Sequence, residues 1–63
     1  MMNEKEIKEL LKSNLKEYIK CLQRDSLYYI EYKSVCMTCI KILNMDYEFL
    51  TLERAERLLL ELN

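Results

Sequence analysis

The chain has 63 residues, a formal net charge of −1 and 51% hydrophobic residues, and it contains no glycine, proline or histidine. A chain this short forms one domain that buries only about 60% of the surface exposed on unfolding, so residues 1–63 are taken as a single domain of thin stability. Interleaved acids and bases supply no positive field that would attract phosphates, and no segment approaches the roughly 20 apolar residues of a membrane span. Every turn must be built without glycine or proline, which favours helices over β-hairpins.

The three cysteines indicate a reduced, cytoplasmic protein, because residues 1–6 are too charged to open a secretory signal. Without histidine the chain lacks the commonest metal ligand, and we expect no metal and no cofactor. Association with a second copy is then the remaining way to stabilise so small a core. A homodimer is therefore predicted.

Helix 1 is predicted over residues 3–22. Asn3 precedes an apolar-periodic run and Glu6 stands three residues later, which is the spacing of a capping box. The apolar residues that follow at helical spacing are Ile7, Leu11, Leu15, Tyr18 and Leu22. The charged residues between them are typical of a mixed, solvated surface.

Helix 2 is predicted over residues 26–43, with Asp25 or Ser26 as its cap. Its main apolar residues are Tyr29, Tyr32, Cys36, Cys39 and Leu43, and four more widen this face: Tyr28, Val35, Ile40 and Ile42. A helix with so broad an apolar face needs more than one neighbour, so helix 2 is expected to be the central helix.

The boundary between helices 1 and 2 leaves a second interpretation open. The seven-residue phase of helix 1 continues into helix 2, and Asp25 is the one residue out of character. A single helix of about 40 residues, pairing as a coiled coil and forming a hairpin with the last helix, remains the alternative.

Helix 3 is predicted over residues 46–62, capped by Asp46, with Leu52, Ala55, Leu59 and Leu62 on one face. Thr51 is a competing cap, in which case residues 46–50 form a turn. Leu60 lies about 100° from Leu59 on a helix, off the main face, and beside Leu58 it could form a second contact surface.

The sequence thus predicts an all-α domain of three helices that assembles as a dimeric bundle. The predicted core is Leu11, Leu15, Leu22, Cys36, Cys39, Leu43, Phe49, Leu52, Leu59 and Leu62. The candidate partner-binding residues are Tyr28, Tyr29, Tyr32, Tyr47 and Leu60, because tyrosine suits both core margins and protein interfaces.

Cys36 and Cys39 form the only motif-like string, a CxxC. A zinc site needs a second pair of ligands, and a thioredoxin-like motif needs a strand before its helix. Neither is present in the sequence pattern, so these cysteines are interpreted as core residues. We identify no catalytic residue and predict that the protein is not an enzyme.

Residues 43–52, LNMDYEFLTL, followed by Glu53, Glu56 and Arg57, resemble the turn and second helix of the Sda-type inhibitors of sporulation histidine kinases. The resemblance covers about a quarter of the chain. Met37 and Ile40 depart from the family's Tyr and Ala, and helix 1 is an extra element. The resemblance implies an inhibitor that docks on the helical bundle of a kinase.

The predicted function is that of a small, non-enzymatic regulator or adaptor that presents helical surface to another protein. Such chains are typical of accessory regulators carried by phages and plasmids, and one form of the hypothesis is an inhibitor of a host protein. The alternative is a nucleic-acid-binding regulator that uses Lys8, Lys12, Lys16 and Lys20 of helix 1. Glutamates dilute that basic face, so nucleic acid is the less favoured partner.

Overall fold

A computed structural model describes residues 2–46 and 50–63, which form three helices. They are α1 (Glu4–Gln23), α2 (Tyr29–Ile42) and α3 (Leu52–Leu62). The described residues contain no strand, so the predicted all-α class is confirmed.

The cap of α1 is the predicted one. Asn3 is extended, and its side-chain oxygen accepts a hydrogen bond from the Glu6 amide at 2.8 Å. Glu4 and Glu6 in the first turn and Lys20 in the last turn also suit the helix dipole. Local sequence is sufficient to define this helix start.

The chain reverses between α1 and α2, so the continuous 40-residue helix is wrong. Asp25 adopts the left-handed conformation with φ of 56°. The Ser26 amide donates a hydrogen bond to the Cys21 carbonyl at 2.8 Å, and the Asp25 amide donates one to the Leu22 carbonyl at 3.4 Å. These two bonds form a Schellman motif. Asp25 therefore ends α1 and does not cap α2.

Helix α2 begins three residues later than predicted. Its N-cap residue, Tyr28, makes no side-chain capping hydrogen bond, but its amide donates to the Ser26 hydroxyl oxygen at 3.3 Å. A second Schellman motif ends α2, where Asn44 has φ of 56° and the Met45 amide donates to the Ile40 carbonyl at 3.0 Å.

Helix α3 is capped by Thr51, whose hydroxyl accepts from the Arg54 amide at 3.3 Å. The predicted cap at Asp46 is therefore wrong, and the competing interpretation of a later start is correct. The predicted positions Tyr47 and Phe49 lie outside the described residues.

The central helix is α1 and not α2. Helix α1 packs against both α2 and α3, whereas the described parts of α2 and α3 make no close backbone approach to each other. Four core residues come from α1, namely Leu11, Leu15, Tyr18 and Ile19. The apolar face of α2 is broad, but only Cys36, Cys39 and Ile40 are buried in this core.

Helix α3 is rotated relative to its predicted orientation. Leu58, which was not among the predicted core residues, is fully buried beside Ala55, and Leu59 is only half-buried. Leu50 completes the buried core. The predicted core positions that pack at its margin are Leu22, Leu43, Leu52, Leu59 and Leu62.

One buried side-chain hydrogen bond attaches the segment before α3 to α1. The Tyr18 hydroxyl donates to the backbone carbonyl of Leu50, 32 residues away. This bond satisfies both polar groups in an apolar environment and fixes where the chain enters α3.

Candidate interaction surface

Large apolar side chains remain exposed at the start of α2 and along it. Leu27 and Tyr28 are 81% and 73% exposed, and Ile30 and Ile42 are also mostly exposed. Isolated exposed apolar residues are ordinary on a protein surface, whereas several that share one side of a helix are typical of a contact surface.

Tyr28, Val35 and Ile42 are spaced by seven residues and therefore lie along one side of α2. We call these three residues the α2 line. Tyr28 and Ile42 are exposed and Val35 is half-buried at the edge of the core. The line is about 21 Å long at 1.5 Å per residue, which matches three to four turns of a partner helix.

The other candidate partner-binding residues are distributed differently. Tyr29 and Tyr32 are half-buried against the core, and the Tyr29 ring lies 6.4 Å from that of Tyr18, tilted by 48°. Both therefore support the fold more than they face solvent. Tyr28 is the predicted tyrosine that the structure exposes.

Leu60 is 74% exposed on α3. It lies with Ile19, Leu59 and Glu56 around a shallow concavity of about 260 Å³ between α1 and α3. Because Leu60 and Tyr28 are on helices that do not approach each other, the structure does not join them into one site.

Leu27 is the most exposed of the large apolar residues that sequence reasoning did not select, because it falls outside the helical periodicity of α2. Its exposure could have been predicted from its position directly after Asp25 and Ser26, two residues typical of turns, because an apolar side chain in a turn has no neighbouring helical turn to pack against.

Cys36 and Cys39 are buried and unbridged, as packing residues would be. Burial, and then the Cys39 thiol, raise the pKa of Cys36 to about 12. Burial likewise raises the pKa of Cys39. A thiol that resists ionisation is a poor nucleophile and a poor metal ligand. Among the described residues no three His, Cys, Asp or Glu side chains are grouped for metal binding.

The lysines of α1 do not form an unopposed basic face. The Lys8 ammonium lies 3.4 Å from the Glu4 carboxylate, and that of Lys20 lies 3.5 Å from Glu17. These exposed pairs contribute little to stability, but they reduce the positive potential that phosphate binding requires.

Comparison with models of protein families, curated protein sequences and solved structures gives no match to this chain. None of the described helices is long and apolar enough to cross a membrane.

Proposed function

We propose that this chain is a small, non-enzymatic cytoplasmic regulator or adaptor that binds another protein through the α2 line. The observation that carries the proposal is the exposure of Tyr28 and Ile42 at the two ends of one apolar line. Tyrosine is enriched among the residues that dominate protein interfaces, since it combines a large apolar ring with a polar tip.

The remaining surface and interior support binding over catalysis. The described residues bury no charged side chain, and the thiols with altered pKa are shifted away from reactivity. Catalytic groups usually lie in clefts with pKa values adjusted toward their reaction.

The proposal is tested by comparing partners captured by three forms of the protein. Tyr28→Glu with Ile42→Glu should abolish capture of the partner while leaving the circular dichroism spectrum unchanged. Lys33→Glu is the matched control, because it makes the same change of −2 in net charge at another exposed position of α2. Equal loss of capture by the control would contradict a role for the α2 line.

We also propose that two copies of the chain associate through this line when the other protein is absent. The accessible surface is 4831 Å², whereas a compact monomer of 7.7 kDa is expected to expose about 4,300 Å². Glu31 lies in the first turn of α2 and Lys41 in its last turn. An antiparallel pairing therefore brings opposite charges together, and a parallel pairing brings like charges together.

Sedimentation equilibrium at micromolar concentration tests this association. We expect a dimer for the wild type and a monomer for Tyr28→Glu with Ile42→Glu. A wild-type monomer with a melting temperature that does not depend on concentration would leave the line available only to a different protein.

The resemblance at residues 43–57 supports a narrower proposal, in which the partner is the helical bundle of a sporulation-type histidine kinase. Such a partner is tested by autophosphorylation of a purified kinase with increasing amounts of this protein. Inhibition by the wild type and its loss in Tyr28→Glu with Ile42→Glu are the expected results.

A further inference from the structure

A spacing of alternating three and four residues runs without interruption from α1 through the turn to the end of α2. Its members are Leu11, Leu15, Tyr18, Leu22, Asp25, Tyr29, Tyr32, Cys36, Cys39 and Leu43. This is the spacing of a coiled-coil seam, and Asp25 is its one charged member. A sequence that encoded only two separate helices would not have to keep this alternating spacing of three and four residues across the turn between them.

In the structure this seam is folded back on itself. Every residue of the seam except Asp25 is buried or half-buried. The α1 residues and the α2 residues of the seam face each other across the hairpin, and the rings of Tyr18 and Tyr29, for example, are 6.4 Å apart. The fold-back depends on Asp25, whose φ of 56° lies in the region that glycine favours.

We propose that Asp25 selects this hairpin over a domain-swapped dimer of the same chain. In the dimer, residues 4–42 of each copy form one continuous helix, and α2 and α3 of each copy pack on α1 of the other copy. An antiparallel pair of long helices reproduces the contacts of the hairpin, because the two-fold axis replaces the turn. The Tyr18 hydroxyl then donates to the Leu50 carbonyl of the second copy.

Asp25 disfavours the dimer in two ways. Aspartate tolerates the left-handed conformation better than most residues, so the turn costs little conformational free energy. In the dimer the two-fold axis passes near position 25, since the hairpin reverses there, and two carboxylates would meet in an apolar seam. Leucine at this position would reverse both effects. Glycine would also remove the carboxylates from the seam, but it favours the left-handed turn and is unfavourable inside a continuous helix.

This inference does not rest on the α2 line, and its test removes that surface. All proteins carry Tyr28→Glu and Ile42→Glu, and Asp25→Leu, Asp25→Ala and Asp25→Gly are compared in this background. The Leu and Ala forms should be dimers by sedimentation equilibrium, with higher helix content, and the Gly form should be a monomer.

Shape separates a swapped dimer from any other association. The longest dimension of the folded chain is 33 Å, whereas a continuous helix over residues 4–42 is about 58 Å long. Small-angle X-ray scattering of Asp25→Leu should therefore give an elongated particle. A monomeric or compact Asp25→Leu protein with the helix content of its parent would overturn the proposal.

If these variants do not fold, the Tyr28→Glu with Ile42→Glu protein, which retains Asp25, still tests the proposal. Refolding from denaturant at about 1 mM protein should trap some elongated dimer that persists on dilution, and refolding at about 1 μM should yield only monomer. Asp25→Gly should give no such dimer at either concentration. Absence of the dimer from the Asp25 protein at the higher concentration overturns the proposal.

Discussion

Tyr18 shows how one polar atom can organise an apolar domain. Its ring lies between α1 and α2, and its hydroxyl donates to the Leu50 carbonyl ahead of α3. The same residue therefore contacts both elements that α1 supports. Helical spacing places Tyr18 on the apolar face of α1, but no local signal could identify an acceptor 32 residues away.

Tyr18→Phe should destabilise the protein by about 1–3 kcal/mol, because it leaves the Leu50 carbonyl buried without its partner. Urea unfolding followed by circular dichroism measures the change. Tyr28→Phe is the matched control, since its hydroxyl is on an exposed side chain, and it should change the free energy of unfolding by less than about 0.5 kcal/mol. Equal effects of the two substitutions would show that the Tyr18 hydrogen bond does not stabilise the fold.

Alkaline pH should unfold the protein through its buried thiols. Burial raises the pKa of Cys36 to about 12, so the unfolded chain loses this proton at a lower pH than the folded one does. The stabilising contribution is complete below the pKa of the unfolded thiol and is lost as the pH rises toward 12. Burial also raises the pKa of Tyr18, which acts in the same direction above pH 10.

Melting temperatures between pH 7 and pH 11 measure this dependence. Cys36→Ala should lower the melting temperature at pH 7 but flatten its decline above pH 9, since one titrating group is gone. An unchanged alkaline slope in Cys36→Ala would contradict the assignment to this thiol.

At the scale of elements, the existence of the three helices can be predicted from apolar periodicity and capping residues. Some of their boundaries cannot be predicted in this way. Asn3 and Thr51 cap as their residue types allow, whereas Asp25 and Asn44 stop helices in left-handed conformations. Asp and Asn suit both roles, at the start of a helix and just after its end. Sequence alone cannot choose between these roles, because tertiary packing determines where the chain reverses.

The second of these positions gives a direct test. Asn44→Ala should cost about 1 kcal/mol, because alanine has no means of offsetting the left-handed conformation that φ of 56° requires. Asn44→Gly should be neutral or stabilising in the same chemical denaturation experiment. If alanine were as well tolerated as glycine, the Schellman motif after α2 would not be an energetic feature of this turn.

The orientation of α3 is also an element-scale result. The pattern of Leu52, Ala55, Leu59 and Leu62 predicts one face, but Leu58 is the fully buried leucine of this helix. Three consecutive leucines at 58–60 make the apolar direction ambiguous, and in the structure Leu58 is the one of the three that is buried beside Ala55. Contact with α1 selects the face, and that contact has no signature within α3.

Leu58→Ala should therefore cost about 2–5 kcal/mol, enough to unfold much of a domain this small. Leu60→Ala should leave the melting temperature nearly unchanged, because its side chain is already exposed. The half-buried Leu59 should fall between them. A larger loss for Leu60→Ala than for Leu58→Ala would mean that α3 presents a different face to α1.

At the scale of the whole molecule, α1 is the one described helix whose backbone closely approaches both others. The breadth of the apolar face on α2 suggests a central position for that helix. The described core contradicts this expectation, because α1 contributes four buried residues and packs against both partners.

This arrangement allows α3 to unfold separately from the hairpin of α1 and α2. Release of α3 removes Ala55 and Leu58 from α1, and the described backbones of α2 and α3 do not approach each other closely. Loss of α1 would instead take the main packing neighbour from both of the other helices. Amide hydrogen exchange should accordingly show a partial opening in which α3 exchanges before the α1–α2 hairpin. Uniform protection of all three helices would indicate a single cooperative unit. A protein with such an opening would uncover the apolar side of α1 transiently, and so could have a second binding surface that exists only while α3 is detached.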